Sequence, residues 1–147
     1  MKIGTDCIGV GVGAVILNDK NEVLLQKRTE KCGNSKGCYG LVGGKVDFGE
    51  TREQAIIREV KEEAGIDVEV LENLGTFDEI LDNEDKKQHW IGTSMLCKII
   101  KGTPKIMEPE KHSELKWYSL NNLPNPLSTP FAIHLENLKR VKPYLFI

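Results

Sequence analysis

The chain has 147 residues, and its 20 Lys and Arg against 22 Asp and Glu give a formal net charge of −2 at pH 7. Hydrophobic residues make up 39% and charged residues 29%, which excludes a disordered or fibrous protein. The lack of a basic block in the sequence excludes a general binder of nucleic acid or of anionic membranes. The length fits one domain, and we expect residues 1–147 to form it.

No apolar run in the sequence approaches the roughly 18–20 residues that cross a bilayer. The first residues also lack a basic region joined to a small-residue cleavage site, which a secretory signal would have. We therefore expect a cytoplasmic protein with no membrane partner. The sequence leaves open whether it is a monomer or a homodimer, although an exposed edge strand could support a homodimer.

The first third of the chain predicts a β-hairpin followed by a loop. Residues 8–17 predict a strand in which glycines alternate with β-branched residues, and such glycines indicate that backbone or ligand comes close to that face. Turn residues at 18–21 lead to a second strand at 22–27. The polar, glycine-bearing residues 29–40 predict a loop, and residues 41–44 predict a short strand that ends in a glycine turn.

One helix is predicted at residues 51–64, because apolar residues recur there at the helical period, namely Ala55, Ile56, Val60 and Ala64. Thr51 followed three positions later by Gln54 is typical of a capping box. Gly65 stands where a glycine often ends a helix. Both ends of this helix are therefore predicted.

The second half of the chain is rich in strand-forming residues. We predict strands at residues 68–71, 75–80, 90–100 and 114–118, a charged hairpin tip at 81–87, a proline-containing loop at 102–111 and a closing helix at 129–140. The order of elements predicts an α+β fold in which a mixed sheet packs between helices.

Three acids of the predicted helix carry the strongest chemical signal. Glu59, Glu62 and Glu63 are spaced so that all three can project from one helical stripe. Like charges at this spacing repel one another, whereas converging carboxylates suit Mg²⁺ or Mn²⁺. A solvated acidic face is the alternative interpretation. The preceding Gly43 and Gly44 favour a metal site, because a glycine turn brings bare backbone groups close to the same acids.

This segment resembles the Nudix box. Residues 43–66 are GGKVDFGETREQAIIREVKEEAGI, which matches every fixed position of the box: Gly44, Glu50, Arg58, Glu59, Val60, Glu62, Glu63, Gly65 and Ile66. The resemblance covers about residues 10–131, and the later segment MEPEKHSELKWYSLNNLPNPL is similar to the MutT-like branch that cleaves nucleoside triphosphates. It implies the Nudix fold, an α/β/α sandwich with a mixed β-sheet.

The resemblance also implies the roles of the box residues. The implied ligands of a divalent metal, Mg²⁺ or Mn²⁺, are Glu59, Glu63, Glu62 and the carbonyl of Gly43. Glu62 is either a further ligand or the group that orients the attacking water. Glu50 would hold Arg58 and so orient the helix.

One candidate for substrate binding is Gly44, in the glycine turn beside the acids. The other candidates lie outside the box. Arg28 is placed to bind phosphates or is a solvated strand-end cation. Glu108 and Glu110 flank a proline, and one of them could supply a late metal ligand or base; the alternative is a pair of surface acids. Tyr39 either stacks on the base or fills the space beneath the loop. The remaining candidates, which could wall a base pocket, are Trp90, Leu127 and Phe131.

These assignments predict an enzyme that acts on small nucleotides. The first hypothesis is Mg²⁺-dependent cleavage of (deoxy)nucleoside triphosphates, including oxidised or non-standard ones, to the monophosphate and pyrophosphate. One alternative is hydrolysis of ADP-ribose or another nucleotide-linked diphosphate. A non-enzymatic alternative is a Nudix domain that senses a nucleotide, but such a domain would be expected to have lost the acids.

Overall fold

The structure is a computed structural model that describes residues 1–30 and 36–146. Strands β1 (Gly9–Ile16), β2 (Glu22–Arg28), β3 (Tyr39–Gly40) and β4 (Val42–Lys45) precede helix α1 (Arg52–Ala64). Strands β5 (Asp67–Asp82), β6 (Lys87–Lys101) and β7 (His112–Ser119) follow, and helix α2 (Thr129–Val141) and a 3₁₀ turn (Pro143–Leu145) close the chain. Neither helix in the described part of the chain combines the length and apolar character needed to cross a membrane.

The strands form a mixed sheet and a smaller antiparallel sheet. The mixed sheet has the order β4-β1-β6-β5, in which β1 is parallel to β6 and the other pairs are antiparallel. The smaller sheet has the order β3-β2-β7. The predicted α+β class and the Nudix α/β/α arrangement are confirmed, because the two helices cover opposite faces of the mixed sheet.

Successive side chains of β1 point to opposite faces of the mixed sheet, and this alternation produces the layers. Val12, Ala14 and Ile16 share one buried cluster with the apolar side chains of α1. Val15 points to the other face and shares a second cluster with Phe131 and other side chains of α2. Strand β1 is therefore buried on both faces.

The predicted hairpin of residues 8–17 and 22–27 is wrong. Both edges of β1 are occupied by β4 and β6, so β2 pairs instead with β3 and β7. The two predicted strands meet only at an isolated bridge between Leu17 and Val23. The chain thus crosses from one sheet to the other at the predicted turn.

Two further boundaries differ from the prediction. The strands expected at 68–71 and 75–80 are one strand, β5, whose pairing with β6 shifts at irregularities instead of breaking. The loop expected at 29–40 ends early, because Tyr39 and Gly40 pair with β2 as strand β3. Residues 31–35 of that predicted loop lie outside the described residues.

Candidate active site

The residues from which both ends of helix α1 were predicted do cap the helix. Thr51 accepts a hydrogen bond from the Gln54 backbone N–H at 3.1 Å, and the Gln54 side chain accepts one from the Thr51 N–H at 2.8 Å. Gly65 ends the helix with a positive φ of 69°, which glycine adopts without steric cost. The buried apolar face then sets the rotation of the helix, and with it the direction of the acids.

Glu63 lies against the glycine turn. Its Oε1 accepts a hydrogen bond from the Gly43 N–H at 3.0 Å and a long one from Gln26 at 3.5 Å. Burial raises the pKa of Glu63 to about 7, against the lowering effect of the Gly43 hydrogen bond, and the nearby Glu59 charge raises it further. Burial of the Glu63 carboxylate thus outweighs the hydrogen bonds that the protein donates to it.

Glu59 lies under the second glycine. A Cβ placed on Gly44 would fall 2.4 Å from the Glu59 carboxyl carbon, so only glycine leaves room for this side chain. Burial raises the pKa of Glu59, the ion pair with Arg58 opposes that rise, and the Glu62 and Asp47 charges add to it. The two glycines of the turn therefore each face one of the implied metal ligands.

Arg58 connects the acids with the preceding loop. Its Nε and Nη2 donate to the two oxygens of Glu50 at 2.8 and 2.7 Å, and Nη2 also donates to the Lys45 carbonyl at 3.1 Å. Its Nη1 donates to Glu59 at 2.9 Å and to Glu62 at 3.3 Å. The hydrogen bonds from Arg58 hold the pKa of Glu50 near 2. The predicted pairing of Glu50 with Arg58 is present, and it fixes the loop on the helix.

The loop before β7 and the first residue of β7 bring two more groups to Glu63. One ligand atom from each of Glu63, Glu108 and His112 lies within 4.8 Å of the other two. The loop is held in place because its backbone N–H groups at Lys105 and Met107 donate to carbonyls at the end of α1. Glu108 therefore lies where a late ligand or base was predicted.

His112 belongs to this cluster and was missed by the sequence analysis. Its side chain is 3% exposed, its Nε2 lies 3.9 Å from Glu63 Oε2, and burial lowers its pKa. Its Nδ1 is buried with no hydrogen-bond partner in the described part of the chain. Only the folding of the loop against α1 reveals it, since 49 positions separate it from Glu63 in the sequence.

The acids Glu59 and Glu63 fit a hard divalent cation. Glu59 and Glu63 are carboxylates whose pKa values are raised by burial, and their oxygens are ligands that Mg²⁺ and Mn²⁺ prefer. An ion-pair partner of Glu63 in the described part of the chain is His112, and burial favours the neutral form of that imidazole. A bound cation would supply the missing positive charge. The Gly43 carbonyl and Glu62 remain further predicted ligands.

A cleft of about 260 Å³ runs over the α2 side of the mixed sheet and ends at the glycine turn. Its lining includes four of the predicted substrate residues, namely Arg28, Gly44, Trp90 and Phe131. Lys45 lines it too, although it was not predicted. Glu110 is exposed, and its backbone carbonyl accepts a hydrogen bond from the Thr29 hydroxyl at 2.6 Å.

Tyr39 and Leu127, which were candidates for the substrate pocket, are not among the residues that line this cleft. The Tyr39 ring is 9% exposed, packs edge-on against Tyr118, and donates its hydroxyl to Glu114 at 2.7 Å. Leu127 bridges to Tyr39 and packs in the same cluster. These contacts place both side chains in the buried cluster that they share with Tyr118.

Known proteins resemble this chain in sequence and in fold. A family model described as NUDIX domain matches residues 8–138. The chain is 38% identical to the ADP-ribose pyrophosphatase of Methanocaldococcus jannaschii over 92% of this chain and 72% of that protein. It is 32% identical to the 8-oxo-dGDP phosphatase NUDT18 of Homo sapiens over 85% of this chain and 36% of that protein.

Among solved structures, a MutT NUDIX hydrolase from Burkholderia pseudomallei matches with a TM-score of 0.80 and 39% identity, over 89% of this chain and 98% of that one. The predicted family is confirmed by these matches, which agree with the contacts of Glu59 and Glu63 with the glycine turn that lines the cleft. The chain belongs to the Nudix family and is a Nudix pyrophosphohydrolase.

Proposed function

We propose that this protein uses Mg²⁺ or Mn²⁺ to hydrolyse (deoxy)nucleoside triphosphates, canonical or oxidised, to the monophosphate and pyrophosphate. The observation that carries the proposal is the position of Glu59 and Glu63 against Gly44 and Gly43, because these two glycines also line the cleft of about 260 Å³. The cations Arg28 and Lys45 line the same cleft. Cytoplasmic residence and the oligomeric state stay predictions from the sequence.

Each group at this end of the cleft has a distinct role in the proposed reaction. A divalent ion held by Glu59, Glu63 and the Gly43 carbonyl would neutralise the phosphates and lower the pKa of a bound water. Arg28 and Lys45 would bind phosphate oxygens through charge-assisted hydrogen bonds.

Glu62 is the acid best placed to accept a proton from the attacking water. Its side chain is 55% exposed and only its Oε2 is held, by Arg58 at 3.3 Å. The other oxygen is available to solvent and substrate. Glu50 takes no part in proton transfer in this scheme, because its low pKa and its two hydrogen bonds to Arg58 commit it to holding the helix.

Hydrolysis of ADP-ribose is the second candidate function. It is favoured by one observation, the 38% identity to a protein named ADP-ribose pyrophosphatase over 92% of this chain. A nucleotide-sensing domain without turnover is supported less, because all three helix acids are retained.

Product analysis with and without metal tests the proposal. With Mg²⁺, we expect ion-exchange chromatography to show a monophosphate and pyrophosphate from at least one triphosphate in a panel of canonical and oxidised nucleotides. EDTA should abolish this turnover and added Mg²⁺ or Mn²⁺ should restore it. AMP and ribose 5-phosphate from ADP-ribose alone would transfer the assignment to the second candidate, and chelator-resistant hydrolysis would contradict metal catalysis.

Replacing Arg28 with alanine should mainly raise KM for the triphosphate, by about 10-fold, because a charge-assisted contact to phosphate is lost. Steady-state kinetics on Arg28→Ala and on Lys20→Ala, which removes an exposed cation from the β1–β2 turn, provide the measurement and its control. An unchanged KM in Arg28→Ala would indicate that Arg28 is a solvated cation.

A further inference from the structure

Glycines on one face of the mixed sheet form the floor of the cleft. Gly11 pairs with Lys45 on β4 and with Gly92 on β6, and Gly92 pairs with Phe77 on β5. A Cβ on Gly92 would fall 2.5 Å from the Phe77 ring, whereas a Cβ on Gly11 would meet only ordinary contacts at 3.5 Å or more. The small residues therefore give aromatic side chains room to lie along this face, and Gly11 itself lines the cleft.

The neighbouring row of paired residues on the same face of the sheet ends in a carboxylate, that of Glu79. Gly9 pairs with Trp90, and Trp90 pairs with Glu79 on the edge strand β5. The Trp90 ring lies over Gly9, where a Cβ would fall 2.5 Å from it. Both Trp90 and Glu79 line the cleft, so that an aromatic surface and a carboxylate are neighbours at its β5 side.

Glu79 has no hydrogen bond or ion pair with any residue of the described part of the chain. It is partly buried, and this burial raises its pKa, whereas the Lys86 charge on the hairpin tip lowers it. A desolvated carboxylate without a partner is costly for the fold. A ligand that supplies N–H donors would remove that cost.

The two ends of the cleft are lined by opposite charges, with Lys45 at the β4 end and Glu79 at the β5 end. Lys45 lies on β4, next to the glycine turn, and Arg28 lies near His112, whose pKa is lowered by burial and further by the Arg28 charge. Strands β4 and β5 are three strand spacings apart, which is about 14 Å. His134, the other titratable group towards α2, is neutral because burial lowers its pKa to about 4. Phosphates bound at β4 would therefore place the base near β5 and Glu79.

The chemistry of a carboxylate selects among the bases. An ionised carboxylate has two acceptor oxygens and no donor. Guanine presents two neighbouring donors, N1–H and the 2-amino group, on one edge. Adenine, cytosine and thymine each present a single donor group flanked by an acceptor, which a carboxylate would repel. The aromatic surface of Trp90 can stack on a base that is held by its hydrogen-bonding edge.

We propose that Glu79 is a specificity-determining residue that accepts hydrogen bonds from N1–H and the 2-amino group of guanine, so that the enzyme prefers guanine nucleotides. The inference builds on the proposed function, since it uses the phosphate position that the proposed reaction requires. A site built to pair with specific donors rejects ligands that lack them, because its own polar group then stays unpaired.

Two measurements on three proteins test the inference: kcat/KM for dGTP, dITP and dATP with Mg²⁺, and Kd for dGMP and dAMP by calorimetry in EDTA. The proteins are wild type, Glu79→Gln and the matched control Glu69→Gln, which neutralises an exposed acid of β5 that pairs with Lys98. We expect wild type and the control to prefer dGTP over dATP by at least about 10-fold. dITP, which lacks the 2-amino group, should be intermediate.

In Glu79→Gln, we expect kcat/KM for dGTP to fall about 10- to 100-fold, since the amide offers one acceptor and one donor. The value for dATP should be unchanged or higher, and the preference of Kd for dGMP should disappear. Hydrolysis without a base preference, or an unchanged preference in Glu79→Gln, would overturn the role of Glu79. Binding that prefers dGMP through Glu79, without turnover of any triphosphate, would overturn the proposed function and support the role of Glu79.

Discussion

Glu63→Gln is expected to lower kcat by roughly 10²- to 10⁴-fold with little change in the fold. Glutamine keeps an oxygen that can accept the Gly43 N–H bond now made by Glu63 at 3.0 Å. It removes the negative charge that a divalent cation would pair with, and it replaces one oxygen ligand by a nitrogen that donates. The measurement is single-turnover kinetics at saturating nucleotide and Mg²⁺.

Thermal unfolding separates this loss of metal binding from a loss of fold. We expect Mg²⁺ to raise the Tm of wild type and of Glu53→Gln, a matched change at an exposed acid of α1, but to leave the Tm of Glu63→Gln nearly unchanged. Near-normal turnover, or an equal Mg²⁺ effect on Tm in Glu63→Gln, would show that Glu63 is not a metal ligand.

The pKa of Glu63 predicts how the stability of the metal-free protein changes with pH. Burial raises this pKa to about 7 in the folded state, above the value of 4.5 for an unburied carboxyl. The stabilisation from the bound proton is complete below the unfolded value and is lost as the pH rises through 7. Without divalent ions, the Tm of Glu63→Gln should therefore be no lower than that of wild type at pH 8.

Local patterns predicted the part of the site that lies on one element. The apolar period of α1, the Thr51–Gln54 box and Gly65 gave both the bounds of the helix and the stripe on which its acids lie. Those signals are contained in neighbouring residues. They could be interpreted without any knowledge of tertiary packing, and the pairing of Glu50 with Arg58 followed from the same segment.

Contacts between distant segments could not be predicted in this way. His112 reaches Glu63 because the loop at 102–111 docks on the end of α1, and Glu79 reaches the cleft because β5 pairs with β6. The hairpin prediction failed for the same reason, since turn residues at 18–21 do not reveal that β4 and β6 occupy both edges of β1. The glycines of β1 did indicate a close approach, but not that Trp90 and His134 make it.

Alanine at the two glycines of the turn is expected to give opposite results. At Gly43, a Cβ would fall 2.2 Å from the Val12 carbonyl oxygen and 3.0 Å from Gly13 Cα. These are backbone atoms of a central strand that cannot move aside, so Gly43→Ala should lower the free energy of unfolding by about 1–3 kcal/mol or more. Chemical denaturation measures this change.

At Gly44, a Cβ would instead meet the Glu59 carboxylate, at 2.4 Å from its carboxyl carbon and 2.6 Å from its oxygens. The end of a side chain can rotate away, so Gly44→Ala should leave stability within about 1 kcal/mol of wild type. The displaced Glu59 would no longer lie where the metal requires it, and a misplacement of about 1 Å is enough for a 10²-fold loss of kcat.

A double-mutant cycle with Glu59→Gln identifies the cause of that loss. If Gly44→Ala acts by displacing Glu59, adding it to Glu59→Gln should change kcat far less than it does in wild type, because the two changes remove the same interaction. Additive losses would show that the added methyl group acts elsewhere, for example on substrate entering the cleft that Gly44 lines. Non-additive losses with unchanged stability would show that glycine is needed at position 44 to make room for the Glu59 carboxylate.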